Sequence, residues 1–169
     1  MTETPPLAAR ELAAYFALME ASSLLQHAVE KHLKAEGGLS WVQFQILARV
    51  SDAPGRQQRM TDLADGVVYS RSGLTYQAGL LEKAGLIARQ PSDDDERSTT
   101  VTLTDDGREL LARILPGHVD VVRRLMLDPL DDGDLTTLTQ VLGRVRDHVR
   151  SGPPRSAARR SARASHPAD

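Results

Sequence analysis

Cysteine is absent from the 169 residues, which excludes disulfides, thiolate metal sites, cysteine nucleophiles and thiol-based redox sensing together. No stretch approaches the ~20 apolar residues that cross a bilayer. The segment from Met1 to Leu7 also lacks a basic region followed by an apolar run. Secretion and membrane insertion are therefore not expected, and a cytoplasmic protein is. A basic excess is missing as well: the formal net charge is −2. Because nucleic-acid binders usually carry a basic excess somewhere, composition alone argues mildly against one. Enzymes need a nucleophile beside a base, paired carboxylates, a metal set or a phosphate-cradling glycine loop, and none occurs here at a diagnostic spacing. His27 and His32 are five apart on one helix, whereas metal-binding pairs prefer four. An enzyme, a cofactor and a metal site are accordingly not expected.

What is present suits a folded soluble chain: 40% apolar and 26% charged residues, enough for one domain with an extension. From Leu7 to about Glu36, the residues Leu12, Phe16, Met19, Leu24, Leu25, Val29 and Leu33 recur at roughly helical spacing, and Gly37 and Gly38 stop the run. Ser40 is placed to cap a second helix through Trp41, Phe44 and Leu47, and Thr61 to cap a short third one holding Leu63 and Ala64. A turn at Gly66 to Tyr69 leads to Ser70, which can cap a fourth helix ending at Gly85. Two short helices joined by a tight turn form a helix-turn-helix pattern.

Beyond Gly85 the character changes. Leu86 to Gln90 reads as extended, Pro91 to Arg97 as a polar turn, and Thr99 to Leu103 as a β-branched strand, together a β-hairpin or "wing". Thr104, with Asp105 and Asp106, opens another helix that Pro116 should bend or interrupt. After Asp131, the residues Leu135, Leu138, Leu142, Val145 and Val149 follow the three-four spacing of a helix that packs on another helix. The last stretch, Ser151 to Asp169, has no apolar period and is expected to be disordered. The expected fold is thus mainly α with a small β-hairpin wing, a winged helix-turn-helix over 39–105. Dimerisation helices are expected at 7–36 and 106–150, in one domain over 1–150.

Between Leu39 and Leu110 the chain resembles the MarR family of winged helix-turn-helix transcriptional regulators. The resemblance rests on Leu39 to Phe44, Leu63-Ala64, Ser70 to Thr75, Leu81 to Ile87, Asp95 to Ser98 and Val101 to Gly107. It implies a homodimer with interdigitating terminal helices, a recognition helix in the major groove and a wing near the minor groove. Many relatives carry arginine after the threonine of that helix, where this chain has Tyr76. The function implied is sequence-specific regulation of transcription at a pseudo-palindromic operator in double-stranded DNA, as a repressor released by a small-molecule effector.

Ser70, Arg71, Ser72, Thr75, Tyr76 and Gln77 fall in the first turns of the expected recognition helix, the part that usually meets base edges. Arginine can bond guanine bidentately, glutamine can read adenine, and the threonine methyl can touch the thymine methyl. Alternatively Ser70 only caps, Ser72 is solvated and Tyr76 packs partly into the fold. Arg97, at the expected wing tip, can enter a narrow minor groove or bond to Asp93, Asp94 or Asp95; the resemblance implies that Asp95 orients it. The acidic run from Asp93 to Glu96 lacks the ligand spacing of a calcium loop. It would repel phosphates unless it is held away from the duplex or paired with Arg97 and Arg89.

The resemblance implies a cavity for a small aromatic or lipophilic effector, which Tyr15, Phe16, His27, Trp41 and His118 are candidates to line, with His27 and Trp41 singled out; the core reading is the stronger one for each, since an aromatic at helical spacing is usually core. Arg155, Arg159, Arg160 and Arg163 form a basic arm, either for DNA phosphates or for solubility alone. The competing reading is a winged-helix scaffold for protein interactions. Salt separates the two, since a DNA reader loses affinity steeply as salt rises.

Overall fold

Capping chemistry sets most of the helix boundaries in the computed structural model, which describes residues 5–67, 70–92 and 95–151. The first helix, α1 (Ala9–Gly37), ends where Gly38 takes a left-handed conformation with φ 64°. There the Gly38 and Leu39 amides return to the carbonyls of Lys34 and Leu33. In front of α2 (Trp41–Asp52), Ser40 Oγ accepts from the Gln43 amide at 3.3 Å, while Gln43 Oε1 accepts from the Ser40 amide at 2.9 Å. This reciprocal box satisfies two otherwise orphaned donors.

A turn at Pro54–Arg56 feeds the short strand β1 (Gln57–Arg59), which passes directly into α3 (Met60–Gly66). Thr61 was expected to cap α3, but Arg59 occupies the cap position and Thr61 lies inside the helix. The reason is β1 itself: its pairing with a later strand holds the backbone extended up to Arg59, so the helix starts immediately after it. Helix α4 (Arg71–Lys83) is capped by Ser70, whose Oγ accepts from the Gly73 amide at 3.1 Å, and Gly85 supplies the expected left-handed stop with φ 75°.

Strands β2 (Ile87–Ser92) and β3 (Asp95–Leu103) complete an antiparallel sheet in the order β1-β3-β2. The polar turn expected over Pro91 to Arg97 is shorter than that. Pairing continues through Pro91↔Thr99, and a register shift separates it from Ser92↔Asp95. Pro91 is tolerated because β2 is an edge strand, where one missing amide donor need not break the ladder.

Thr104 caps α5 (Asp105–Val122), accepting from the Gly107 amide at 3.1 Å. Of the bend or interruption expected at Pro116, the interruption does not occur: the helix runs through it and becomes irregular only in the π-helical stretch Arg123–Leu127. Proline removes one amide donor, the one that would serve the Ala112 carbonyl. Ala112 and Pro116 are both exposed, so that loss falls at the surface.

Among the described residues the fold divides into two compact units, one up to Leu125 and the other from Met126 onward. The core of the first gathers Leu33 from α1, Ile46, Leu47 and Val50 from α2, Leu63 from α3, Leu74 and Leu81 from α4, Val101 from β3 and Ile114 from α5, all essentially inaccessible to solvent. In the second unit, α6 (Asp132–Arg150) begins at Asp131, whose carboxylate accepts from the Asp134 amide at 2.8 Å. Along α6 the residues Leu135, Leu138 and Leu142 are half-buried, and Val141, Val145 and Val149 are exposed. The arginine tail expected to be disordered lies outside the described residues, except for Ser151 at its start. Among the described residues, no helix is long and apolar enough to cross a membrane.

Candidate nucleic-acid interface

Helix α4 is two-faced. Leu74, Ala78 and Leu81, at helical spacing, lock it into the core, which turns Arg71, Ser72, Thr75 and Tyr76 outward. All four are exposed, and they stand as two i,i+4 pairs, Arg71 with Thr75 and Ser72 with Tyr76. Arg71 has no ion-pair partner among the described residues, so its guanidinium is available to a ligand. Thr75 Oγ1 donates to the Arg71 carbonyl at 2.8 Å. With the hydroxyl turned back onto the helix, the methyl is the group left for an external contact. Tyr76 is 64% exposed, so most of its side chain lies outside the fold.

Ser70 is exposed and caps the helix, so the structural role weighed for it holds, while its hydroxyl proton remains free to donate outward. Gln77 departs from the group. It is half-buried, and its Oε1 is shielded from solvent without a hydrogen-bond partner. Adenine recognition by Gln77 would require the side chain to swing out. Arg97 lies within β3, not in the turn, because strand pairing extends to Asp95.

Arg89 of β2 bonds to α4. Its Nε and Nη2 both donate to Glu82 Oε2, at 2.9 and 2.5 Å, tying the end of α4 to the base of the hairpin. A Cβ on Gly79 would meet the same guanidinium at 3.9 Å, so Arg89 lies along α4 for a full turn. The hydrogen bonds from Arg89 hold the Glu82 carboxyl below its ordinary value. This clamp joins the last turn of α4 to β2. Sequence reasoning missed it because residues 82 and 89 meet only through the left-handed turn at Gly85, which patterning does not measure.

A family model for the MarR family matches residues 37–98. The solved structure of Sco3205, a MarR family transcriptional regulator from Streptomyces coelicolor in complex with DNA, superposes with a TM-score of 0.84 at 31% identity, covering 90% of this chain and 95% of that one. This chain belongs to the MarR family. AbsC, a MarR family regulator from the same organism, aligns with a TM-score of 0.82 at 35% identity over 87% of this chain and 99% of its own. The HTH-type transcriptional regulator PecS of Dickeya dadantii (strain 3937) is 32% identical over 149 residues, 87% of this chain and 88% of that protein. A mainly helical winged helix-turn-helix is therefore the fold of this MarR-family chain, as expected, with β1 added to the expected hairpin as a third strand.

The residues singled out for an effector do not share one cavity. His27 lines a cleft of about 540 Å³ between α1 and the start of α2, with Glu30, Lys31, Lys34, Ser40 and Gln43. Trp41 instead stacks on Phe44 and faces His118, with ring centroids at 5.8 and 6.3 Å. Tyr15 and Phe16 contact each other edge to face at 5.5 Å and are exposed. Lys31 and Lys34 are further cleft residues that sequence reasoning missed. Their spacing from His27, four and seven residues, places all three on one helical face and carries that signal.

Proposed function

We propose that this MarR-family protein is a homodimeric, sequence-specific reader of double-stranded DNA that regulates transcription as a repressor, and that a small molecule releases it from its operator. The observation that carries this reading is the outward face of α4, where Arg71, Ser72, Thr75 and Tyr76 stand together on a helix anchored by Leu74, Ala78 and Leu81. A rigid helix presenting a free guanidinium and small polar groups at its start suits major-groove readout. Structural likeness to a relative solved with DNA supports the same use of the face. In the cytoplasm such a reader has direct access to the chromosome.

The dimer is supported by apolar surface that one subunit leaves open. The first half of α1 exposes Leu12, Tyr15, Phe16, Leu18 and Met19, and α6 exposes Val141, Val145 and Val149. Apolar side chains left exposed on each of the two helices suit an association surface, and a two-fold pair would present two recognition helices to the two halves of a pseudo-palindrome. For the effector, the cleft at His27 is the better seat than Trp41. Lys31 and Lys34 outweigh the single Glu30 there, which favours an anionic ligand.

Enrichment of binders from randomised duplex DNA tests the proposal, with Arg71→Ala and Arg97→Ala alongside. A pseudo-palindrome is expected, and Arg71→Ala is expected to weaken it by about 1–3 kcal/mol, the worth of a bidentate base contact. Absence of both enrichment and steep salt dependence would point to a protein-interaction scaffold instead.

The clamp makes a separate prediction. Both partners are partly exposed, 27% for Arg89 and 37% for Glu82, so Glu82→Gln is expected to change unfolding free energy by less than about 1 kcal/mol. It is nonetheless expected to lower affinity for the enriched operator more than for random duplex, because the helix and wing lose the bonds that join them. Parallel titrations on the two duplexes measure this; an equal loss on both would reduce the pair to a surface ornament.

A further inference from the structure

Three helices of the first unit bring four rings to one place. The ring of His118 on α5 lies 4.6 Å from Phe44 and 6.3 Å from Trp41, both on α2. Its Nδ1 is buried and has no hydrogen-bond partner. From α1, His32 reaches across to the α5 backbone, with Nε2 3.3 Å from the Ile114 carbonyl oxygen. Gly117 leaves the room for this, since a Cβ there would stand 2.9 Å from His32 Nε2.

A neutral His118 can keep a bare lone pair at Nδ1. Protonation would instead place a donor and a charge where no acceptor waits. His32 is the ionisable group that acts on it, from α1. Ionisable residues elsewhere on the three helices, among them Lys31 and Glu36 on α1, Arg49 and Asp52 on α2, and Arg113 and Asp120 on α5, are exposed. Burial first, and the positive charge of His32 second, hold the His118 imidazole below its ordinary 6.5.

We propose that His32 and His118 form a proton-operated latch between the α1/α5 pair and α2. With His118 neutral, α2 is held through Phe44 and Trp41; proton uptake drives the rings apart and lets α2 shift. Helix α2 packs on α4 through the shared core of Leu47, Leu74 and Leu81, so the shift would reach the recognition helix. The consequence for DNA rests on the reading proposed above; the latch itself does not. The sign follows from linkage: the opened state binds the proton more readily than the closed one. The closed form therefore keeps its full advantage above about pH 6.5 and loses it as pH falls toward the lowered value.

Trp41 is the only tryptophan in the chain, so its fluorescence reports on the latch directly. Between about pH 8 and pH 5, the wild-type emission is expected to step with a midpoint below 6.5. His118→Phe keeps a ring and loses the proton, and its profile should be flat. His32→Gln should keep the step but move its midpoint upward, because a like charge is gone, a shift that a merely structural role would not produce. A flat wild-type profile, or an unchanged step in His118→Phe, overturns the latch. On the enriched duplex, acidification should weaken the wild type relative to His118→Phe, by about tenfold for each unit separating the closed and opened pKa values. Equal acid dependence of the two proteins overturns the link to the recognition helix. If neither protein binds any duplex at neutral pH, the DNA reading fails, and the fluorescence arm still decides the latch.

Discussion

A chain carrying Phe16→Glu is expected to run as a monomer at micromolar concentration and to bind its operator about 10²–10⁴-fold more weakly than the wild type, the factor by which linking two half-site contacts raises avidity. Phe16 is 60% and Tyr15 52% exposed, on a stretch of α1 that contributes nothing to the core of its own subunit, whose α1 residues begin only at Val29. An aromatic side chain carries 150–250 Å² of surface, and a two-fold interface covers each such patch twice. Replacing the ring by a carboxylate removes that gain and adds the cost of desolvating a charge, several kcal/mol per ion. Because the core lies elsewhere, thermal unfolding of the helix-turn-helix unit should persist. Sedimentation measures the mass and duplex titration the affinity; a variant that stays dimeric with unchanged affinity would place the interface elsewhere.

The elements that were legible in the sequence are those fixed by local chemistry. Ser40, Ser70, Thr104 and Asp131 cap helices where their hydroxyl or carboxylate oxygens meet an amide three residues on, and Gly38 and Gly85 stop helices by adopting positive φ. Thr61 failed by the same logic: its side chain suits a cap, but tertiary pairing of β1 with β3 had already fixed where the chain turns. Pro116 does not interrupt α5 because the penalty for a lost helical hydrogen bond depends on exposure, which periodicity does not reveal. At the candidate site, the outward set Arg71, Ser72, Thr75 and Tyr76 follows from helical phase once Leu74, Ala78 and Leu81 are placed inside. Gln77 sits at the edge of that phase and could not be sorted without coordinates. The Glu82–Arg89 clamp and the approach of His32 to the Ile114 carbonyl join residues from different elements, and neither propensity nor spacing encodes those distances.

Gly107→Ala is expected to destabilise the first unit by about 3 kcal/mol, the upper part of the usual range for forcing extra atoms into a packed site. Most glycine-to-alanine changes inside helices act in the opposite direction, by up to about 1 kcal/mol, through backbone entropy and solvation. The sign here is decided by what faces the missing methyl. Thr104 ties the start of α5 to the preceding turn three ways: Oγ1 donates to the Gly85 carbonyl at 2.6 Å and accepts from the Gly107 amide at 3.1 Å, and its amide donates to the Leu86 carbonyl at 3.2 Å. The result is that the Gly107 Cα rests on the Leu86 backbone, where a Cβ would fall 3.0 Å from the carbonyl carbon and closer still to its oxygen. A side chain in that position could rotate away; a backbone carbonyl already bonded to Thr104 cannot. Gly143 of α6 provides the matching control, since nothing lies within 4 Å of a Cβ built there, and Gly143→Ala should stabilise by up to about 1 kcal/mol. Thermal or denaturant unfolding of the two variants, each against the wild type, should therefore move in opposite directions. Stabilisation by both would mean that the start of α5 yields to the methyl and that the Thr104 bonds do not hold it against Leu86.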